Sequence, residues 1–210
     1  MIITDIIKDK KHLNRVLFDN GSEELLDLEL FCERPLHKGD SISSEDLEAL
    51  KYRSDYIRAK SKALWYLDRC SYSEKALKDK LKQSGFSEKV SAQVIKRLKE
   101  LSLVDDTSLA KRLAEYFAQN NTSKREIYAK LMQRGIPKEI IVSVLEDTVI
   151  DEESQIKALI QKKYKNKLGE RAENEKIYAA LCRKGFSFSA VRNVLKEYVE
   201  QLQYADGEDY

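Results

Sequence analysis

The sequence predicts a mostly α-helical protein built from tandem three-helix repeats: three copies with a period of about 50 residues in an elongated, curved array, preceded by a short N-terminal β-hairpin segment. Three observations predict it. Only seven Gly and two Pro punctuate 210 residues, which implies long helices joined by short turns. Gly85, Gly135 and Gly185 stand at equal spacing along the chain. The segments around them, LKDKLKQSGFSEKVSAQVIKRL, IYAKLMQRGIPKEIIVSVLEDT and IYAALCRKGFSFSAVRNVLKEY, align without a gap.

The first 42 residues read differently from the rest. Leu13 to Phe18 and Glu24 to Leu28 flank Asn20-Gly21, which predicts a tight type I′ hairpin because both turn positions favour positive φ. Ile2 to Ile7 is a candidate third strand. Pro35 and the Lys38-Gly39-Asp40 turn close the segment, and Ser43 with Asp46 begins a helix.

Each repeat column has a physical job. Leu81, Leu131 and Leu181 are the last inward residues of one helix. The glycines follow the helix end, where a left-handed residue without a β-carbon costs least. Phe86, Ile136 and Phe186 pack back on the helix just left. Ser87, Pro137 and Ser187 open the next helix, whose apolar stripe contains Val94, Val144 and Val194, then Ile95, Leu145 and Leu195. A further helix precedes each pair. It is expected at Ile57–Arg69 with Ala59, Ala63, Leu64 and Leu67 inward, at Leu109–Gln119, and at Ile156–Lys167 with Tyr164 inward. Ser71 and Ser123, each followed three residues later by Glu, predict capping boxes. The expected division is an acidic segment at 1–55, repeats at 56–105, 106–152 and 153–203, and an acidic tail at 204–210.

This pattern resembles the bacterial RecX regulatory family. The resemblance rests on Lys80-Leu81…Gly85-Phe86, Leu103-Val104-Asp105-Asp106, Ile127…Lys130-Leu131…Arg134-Gly135-Ile136 and Leu181…Arg183-Lys184-Gly185-Phe186-Ser187, and it covers residues 56–200. It implies tandem three-helix repeats and a modulator of the RecA recombinase that lowers its ATPase and strand exchange and alters filament assembly. The family often carries a basic cluster after the first helix of its second repeat. Here that place reads Ala118-Gln119-Asn120-Asn121-Thr122, and charge resumes at Lys124-Arg125.

Charge points the same way as the resemblance. The net charge of +2 hides a segregation, with 8 basic against 13 acidic residues in 1–55 and 30 against 23 in the remainder. A basic helical body favours polyanions or acidic protein surfaces. Charge and repeat position, rather than the family, select Lys124, Arg125, Lys130, Arg134, Lys162, Lys163, Lys165, Arg183 and Lys184 as expected partner contacts. In the third copy, Lys162, Lys163, Lys165 and Lys167 surround Tyr164 in a strip suited to phosphates or an acidic groove.

Catalysis has no support. His12 and His37 are the only histidines, and Cys32-x₄-His37 is half a metal site at most. Asp105-Asp106 reads as favourable charge at a helix start. Cys32, Cys70 and Cys182 lie far apart, as reduced thiols do. No long apolar run and no leader pattern occur, so the expectation is a cytoplasmic monomer without cofactor or metal. The resemblance implies a RecA filament as its partner; direct binding of single- or double-stranded DNA is the alternative.

Overall fold

The computed structural model describes residues 1–10, 12–165, 168 and 171–206. It divides into two compact units, Met1–Asp105 and Asp106–Tyr210. Among the described residues there are three strands and ten α-helices.

The first unit opens with β1 (Ile3–Lys10), β2 (Leu13–Phe18) and β3 (Glu23–Asp27), an antiparallel sheet in the order β1-β2-β3. The expected two-residue turn is a three-residue one. Phe18 N–H donates to the Ser22 carbonyl and Gly21 N–H to the Phe18 carbonyl, both at 3.0 Å, so Asp19-Asn20-Gly21 forms the loop. Only Gly21 takes positive φ, at 80°, because the Asn20 carboxamide oxygen is held by the Ser22 amide and hydroxyl. A type I turn closed by a left-handed glycine meets the strand twist as well as the tighter turn does.

Strand β3 stops one residue short of the expected Leu28. Asp27 caps a short helix there, α1 (Leu28–Glu33), by accepting from Glu29 N–H. The helix begun at Ser43 and the expected first repeat helix are one element, α2 (Ser44–Leu67), which runs unbroken through residue 55. No Gly or Pro interrupts these 24 residues, so nothing stops helix propagation. Its early turns bring Leu47, Leu50 and Ile57 to the core built by Ile3, Val16, Phe18, Leu26 and Leu30. Its later turns bring Ala59 and Ala63, fully buried, against α3 (Glu74–Gln83) and α4 (Glu88–Glu100). Leu64, expected inward, is 40% exposed. Alanines on the neighbouring turn let the helices approach closely and leave no room for a leucine there. Ser73, not Ser71, caps α3 by accepting from Ala76 N–H.

The second unit holds α5 (Asp106–Gln119), α6 (Lys124–Gln133) and α7 (Lys138–Asp147), then α8 (Glu152–Lys163), α9 (Arg171–Arg183) and α10 (Phe188–Asp206). Each trio encloses its own core, centred on Ile127, Leu131 and Ile141 in one and on Ile177, Leu181 and Val191 in the other. Helix α10 continues through Asp206, so the first part of the expected acidic tail is helical, and residues 207–210 lie outside the described residues.

The three equivalent turns share one geometry. The amides of Phe86, Ile136 and Phe186 donate to the carbonyls of Leu81, Leu131 and Leu181 at 3.2, 3.3 and 3.4 Å. The glycines between them have φ of 91°, 78° and 89°. This is the two-bond helix stop in which a left-handed residue turns the chain and an apolar residue returns to the helix. Ser87 and Ser187 cap the following helices through Val90 and Ala190 N–H. Pro137 holds the same place without a side-chain bond, its ring supplying the backbone angle alone. Two further helices end similarly without glycine, with Ser102 at φ 55° and Asn121 at φ 54°.

Candidate partner-binding surface

Two local decisions build the site on the second unit. Thr122 and Ser123 are buried, and Ser123 starts α6 by accepting from Glu126 N–H at 3.2 Å. The helix then presents Arg125 and Ala129 on the side away from buried Ile127 and Leu131. Gly185 ends α9 and releases the chain into α10. The Ser123 hydroxyl also donates to the Lys184 carbonyl at 2.5 Å, which fastens the two three-helix trios together at this point.

Around that bond lies an open cleft of about 690 Å³, lined by Arg125, Glu126, Ala129, Cys182, Arg183, Lys184, Gly185 and Phe188. Arg125 and Arg183 are exposed and Lys184 half-buried, and none of the three has a carboxylate within ion-pair distance among the described residues. Glu126, the one acid of the lining, is held by Lys130 at 2.9 Å. Phe188, the first residue of α10, is 69% exposed and stacks on Tyr178 with ring centroids 6.4 Å apart. The α6 and α10 N-termini add partial positive charge beside it. An aromatic knob ringed by unpaired cations suits an acidic protein segment carrying an apolar side chain.

The structure thus brings together three of the nine expected contacts, Arg125, Arg183 and Lys184. Lys124 is exposed on the same helix turn but does not line the cleft. Lys130 and Arg134 are committed to another neighbour, their charged ends 4.8 and 5.3 Å from the Phe117 ring centre. Lys162 and Lys163 occupy the last turn of α8, where cations complement the carbonyl end of a helix, and Lys165 follows it. None of these three lines the cleft. Tyr164 packs against the core of its own trio, so the expected basic strip lacks its aromatic; Asn166 and Lys167 lie outside the described residues. Tyr128 and Tyr178 edge their cores. Phe188 escaped the sequence reading because it stands three and seven residues before Val191 and Leu195, the spacing of the helix stripe itself; only its alignment with Glu88 and Lys138 in the other two copies marks the position as outward-facing.

Among the described residues no three His, Cys, Asp or Glu side chains converge as a metal ion requires, and no helix is long and apolar enough to cross a membrane. Repeated three-helix units displaying such a cleft define a helical-repeat binding protein. Residues 59–98 match the first three-helix domain of RecX and residues 151–195 match the third. The regulatory protein RecX of Caldanaerobacter subterraneus subsp. tengcongensis is 35% identical over 199 residues, covering 93% of this chain and 98% of its own. That of Clostridioides difficile is 30% identical over 210 residues, covering 97% and 98%. The chain belongs to the RecX regulatory protein family. These relatives are named as regulatory proteins rather than enzymes. Two crystal structures share the fold: a regulatory protein RecX with TM-score 0.68 and 23% identity, covering 92% of this chain and 98% of the other, and RecX from Lactobacillus salivarius with TM-score 0.62 and 23% identity, covering 70% and 97%.

Proposed function

We propose that this protein binds the RecA recombinase filament and lowers its ATPase, strand exchange and filament assembly. On this reading residues 106–203, the second and third copies, form the binding module, and the protein works as a cytoplasmic monomer. The observation that carries it is the cleft in which Arg125, Arg183 and Lys184 stand unpaired around exposed Phe188. Desolvated arginines and an aromatic anchor are what tight protein interfaces concentrate at their centres. Membership of a regulatory family supports a macromolecular partner rather than a small substrate.

The rival is direct DNA binding by the same cations, with any effect on RecA arising from competition for DNA. DNA-dependent ATPase of RecA, measured at saturating DNA with substoichiometric protein, separates them. Inhibition that persists as DNA is raised is expected. Inhibition that vanishes with added DNA rejects the proposal, and so does affinity falling as steeply with salt as several phosphate contacts require.

A further inference from the structure

The first unit carries a second group of cations with an unusual environment. Most of its ion pairs are ordinary exposed ones, such as Arg34 with Asp46 and Arg97 with Glu100. Lys62, Arg69 and Lys80 instead stand on aromatic rings and have no carboxylate within ion-pair distance among the described residues. The Arg69 guanidinium lies 3.6 Å from the centre of the Trp65 ring. The Lys62 ammonium is 4.6 Å from Trp65 and 5.4 Å from Tyr66. Lys80 is 5.1 Å from Tyr66 and 5.2 Å from Tyr72. Trp65, Tyr66 and Tyr72 follow one another edge to face at 5.2 and 6.0 Å, so rings and cations alternate along one strip from the last turns of α2 to Lys80 in the last turn of α3.

Trp65 is 47% exposed, although indole is the most costly aromatic to leave in water. Beside it opens a cleft of about 770 Å³ at the end of the sheet, floored by Leu13, Leu28 and Ile57, with Lys10 and Lys62 on its rim together with the acids Asp27 and Glu29. An exposed ring next to an apolar-floored cleft accepts a flat apolar group, and the cations along the strip accept a repeating anion. A guanidinium held on a ring is pre-ordered for bidentate contact with phosphate.

We propose that this strip binds single-stranded nucleic acid, with a base against Trp65 and backbone phosphates on Lys62, Arg69 and Lys80. Free base faces are required, and a duplex buries them within its stack. This site is distinct from the cleft on the second unit and does not depend on the recombinase.

Trp65 is the chain's single tryptophan, so its emission reports on this site directly. The test titrates the full chain with oligothymidylate longer than roughly 16 nucleotides, the upper span of single-strand sites on one domain. Saturable quenching is expected, with weaker binding to duplex of the same length. By anisotropy of a labelled strand, Trp65→Ala lowers affinity roughly 5- to 150-fold, as loss of one stacked base does, while Trp65→Phe retains most of it. Lys62→Gln and Lys80→Gln each reduce the salt slope by about 0.7. Unchanged melting curves exclude unfolding as the cause. Absence of quenching at low salt overturns the proposal, as does equal binding of duplex or of polyglutamate. Trp65→Ala keeps its effect on RecA at saturating DNA, so the failure of either proposal is visible separately.

Discussion

The Ser123 hydroxyl lies 2.5 Å from the Lys184 carbonyl oxygen and at the same time accepts from Glu126 N–H. One buried side chain therefore starts a helix in one trio and satisfies the end of a helix in the next. The carbonyls at a helix end lack intrahelical partners, and this one is supplied from another repeat. Ser123→Ala removes the cap and leaves the Lys184 carbonyl without that donor. A loss of about 1–3 kcal/mol is expected in urea unfolding, the sum of a cap and a buried hydrogen bond. A loss below the scatter of surface substitutions would falsify the link.

Gly185 feels the same contact. A β-carbon there meets Ser123 Oγ at 2.8 Å and Arg125 Cβ at 3.0 Å, whereas one at Gly85 meets nothing within 4 Å. Both residues have positive φ, which costs a non-glycine residue about 1–2 kcal/mol. Gly85→Ala should show that cost alone. Gly185→Ala should show more, because overpacking adds to it. Equal melting shifts for the two variants would contradict the close approach.

Gln155 is a second tie between the trios. Its Nε2 donates to the Ala118 carbonyl at 2.9 Å, while its Oε1 is buried without a partner among the described residues. The Ala118 carbonyl also accepts from Asn121 N–H, so losing the glutamine does not orphan it. Gln155→Leu is expected to change stability by less than about 1.5 kcal/mol, since it removes a buried unsatisfied oxygen along with one bond. Gln155→Glu places an uncompensated charge in the same spot and should destabilise strongly at neutral pH, recovering as the pH is lowered. Thermal melts at two pH values compare them.

Glu88, in the first turn of α4, takes hydrogen bonds from Lys78 at 2.5 Å and Lys82 at 2.8 Å. These hold its carboxyl well below its ordinary value of 4.5, at about 2. The sign follows from a folded value below the unfolded one: whatever the pair contributes is present above about 4.5 and lost as the pH falls through about 2. NMR titration should place the Glu88 midpoint near the lower figure in the parent and raise it in Lys78→Met, Lys82→Met. An unshifted midpoint in the parent contradicts the pairing.

Charge reversal distinguishes the cations that line the cleft from those that do not. Arg125→Glu with Arg183→Glu is expected to weaken the effect on RecA ATPase at least tenfold without changing the melting curve, because both side chains are exposed and unpaired. Lys162→Glu with Lys163→Glu, reversing as much charge outside the cleft, should change it little. Equal losses would mean that general electrostatic attraction, not the cleft, carries binding.

Much of this protein is legible in its residues because the governing interactions are local. The Leu–Gly–Phe or Leu–Gly–Ile columns determine the helix stops, since a left-handed turn favours glycine and the returning apolar residue needs a leucine five positions back. The serines at 43, 87, 123 and 187 likewise reveal helix starts, because a cap bonds within four residues. Where two local choices compete, the reading slips. Ser71 and Ser73 both precede Glu74, and only the burial of Ser73 against α2–α4 selects it.

The sequence by itself determined the repeat, its period, its helix stops and the basic character of its body. Only the tertiary structure decided which basic residues act together. Arg125 and Arg183 are far apart in sequence, and their meeting depends on how one trio docks on the next through Ser123 and Lys184. Lys130, on the same helix as Arg125, is turned to Glu126 and Phe117 by helical rotation and packing. Charge is a property of the residue, but whether it is free to meet a partner depends on which neighbours folding places beside it.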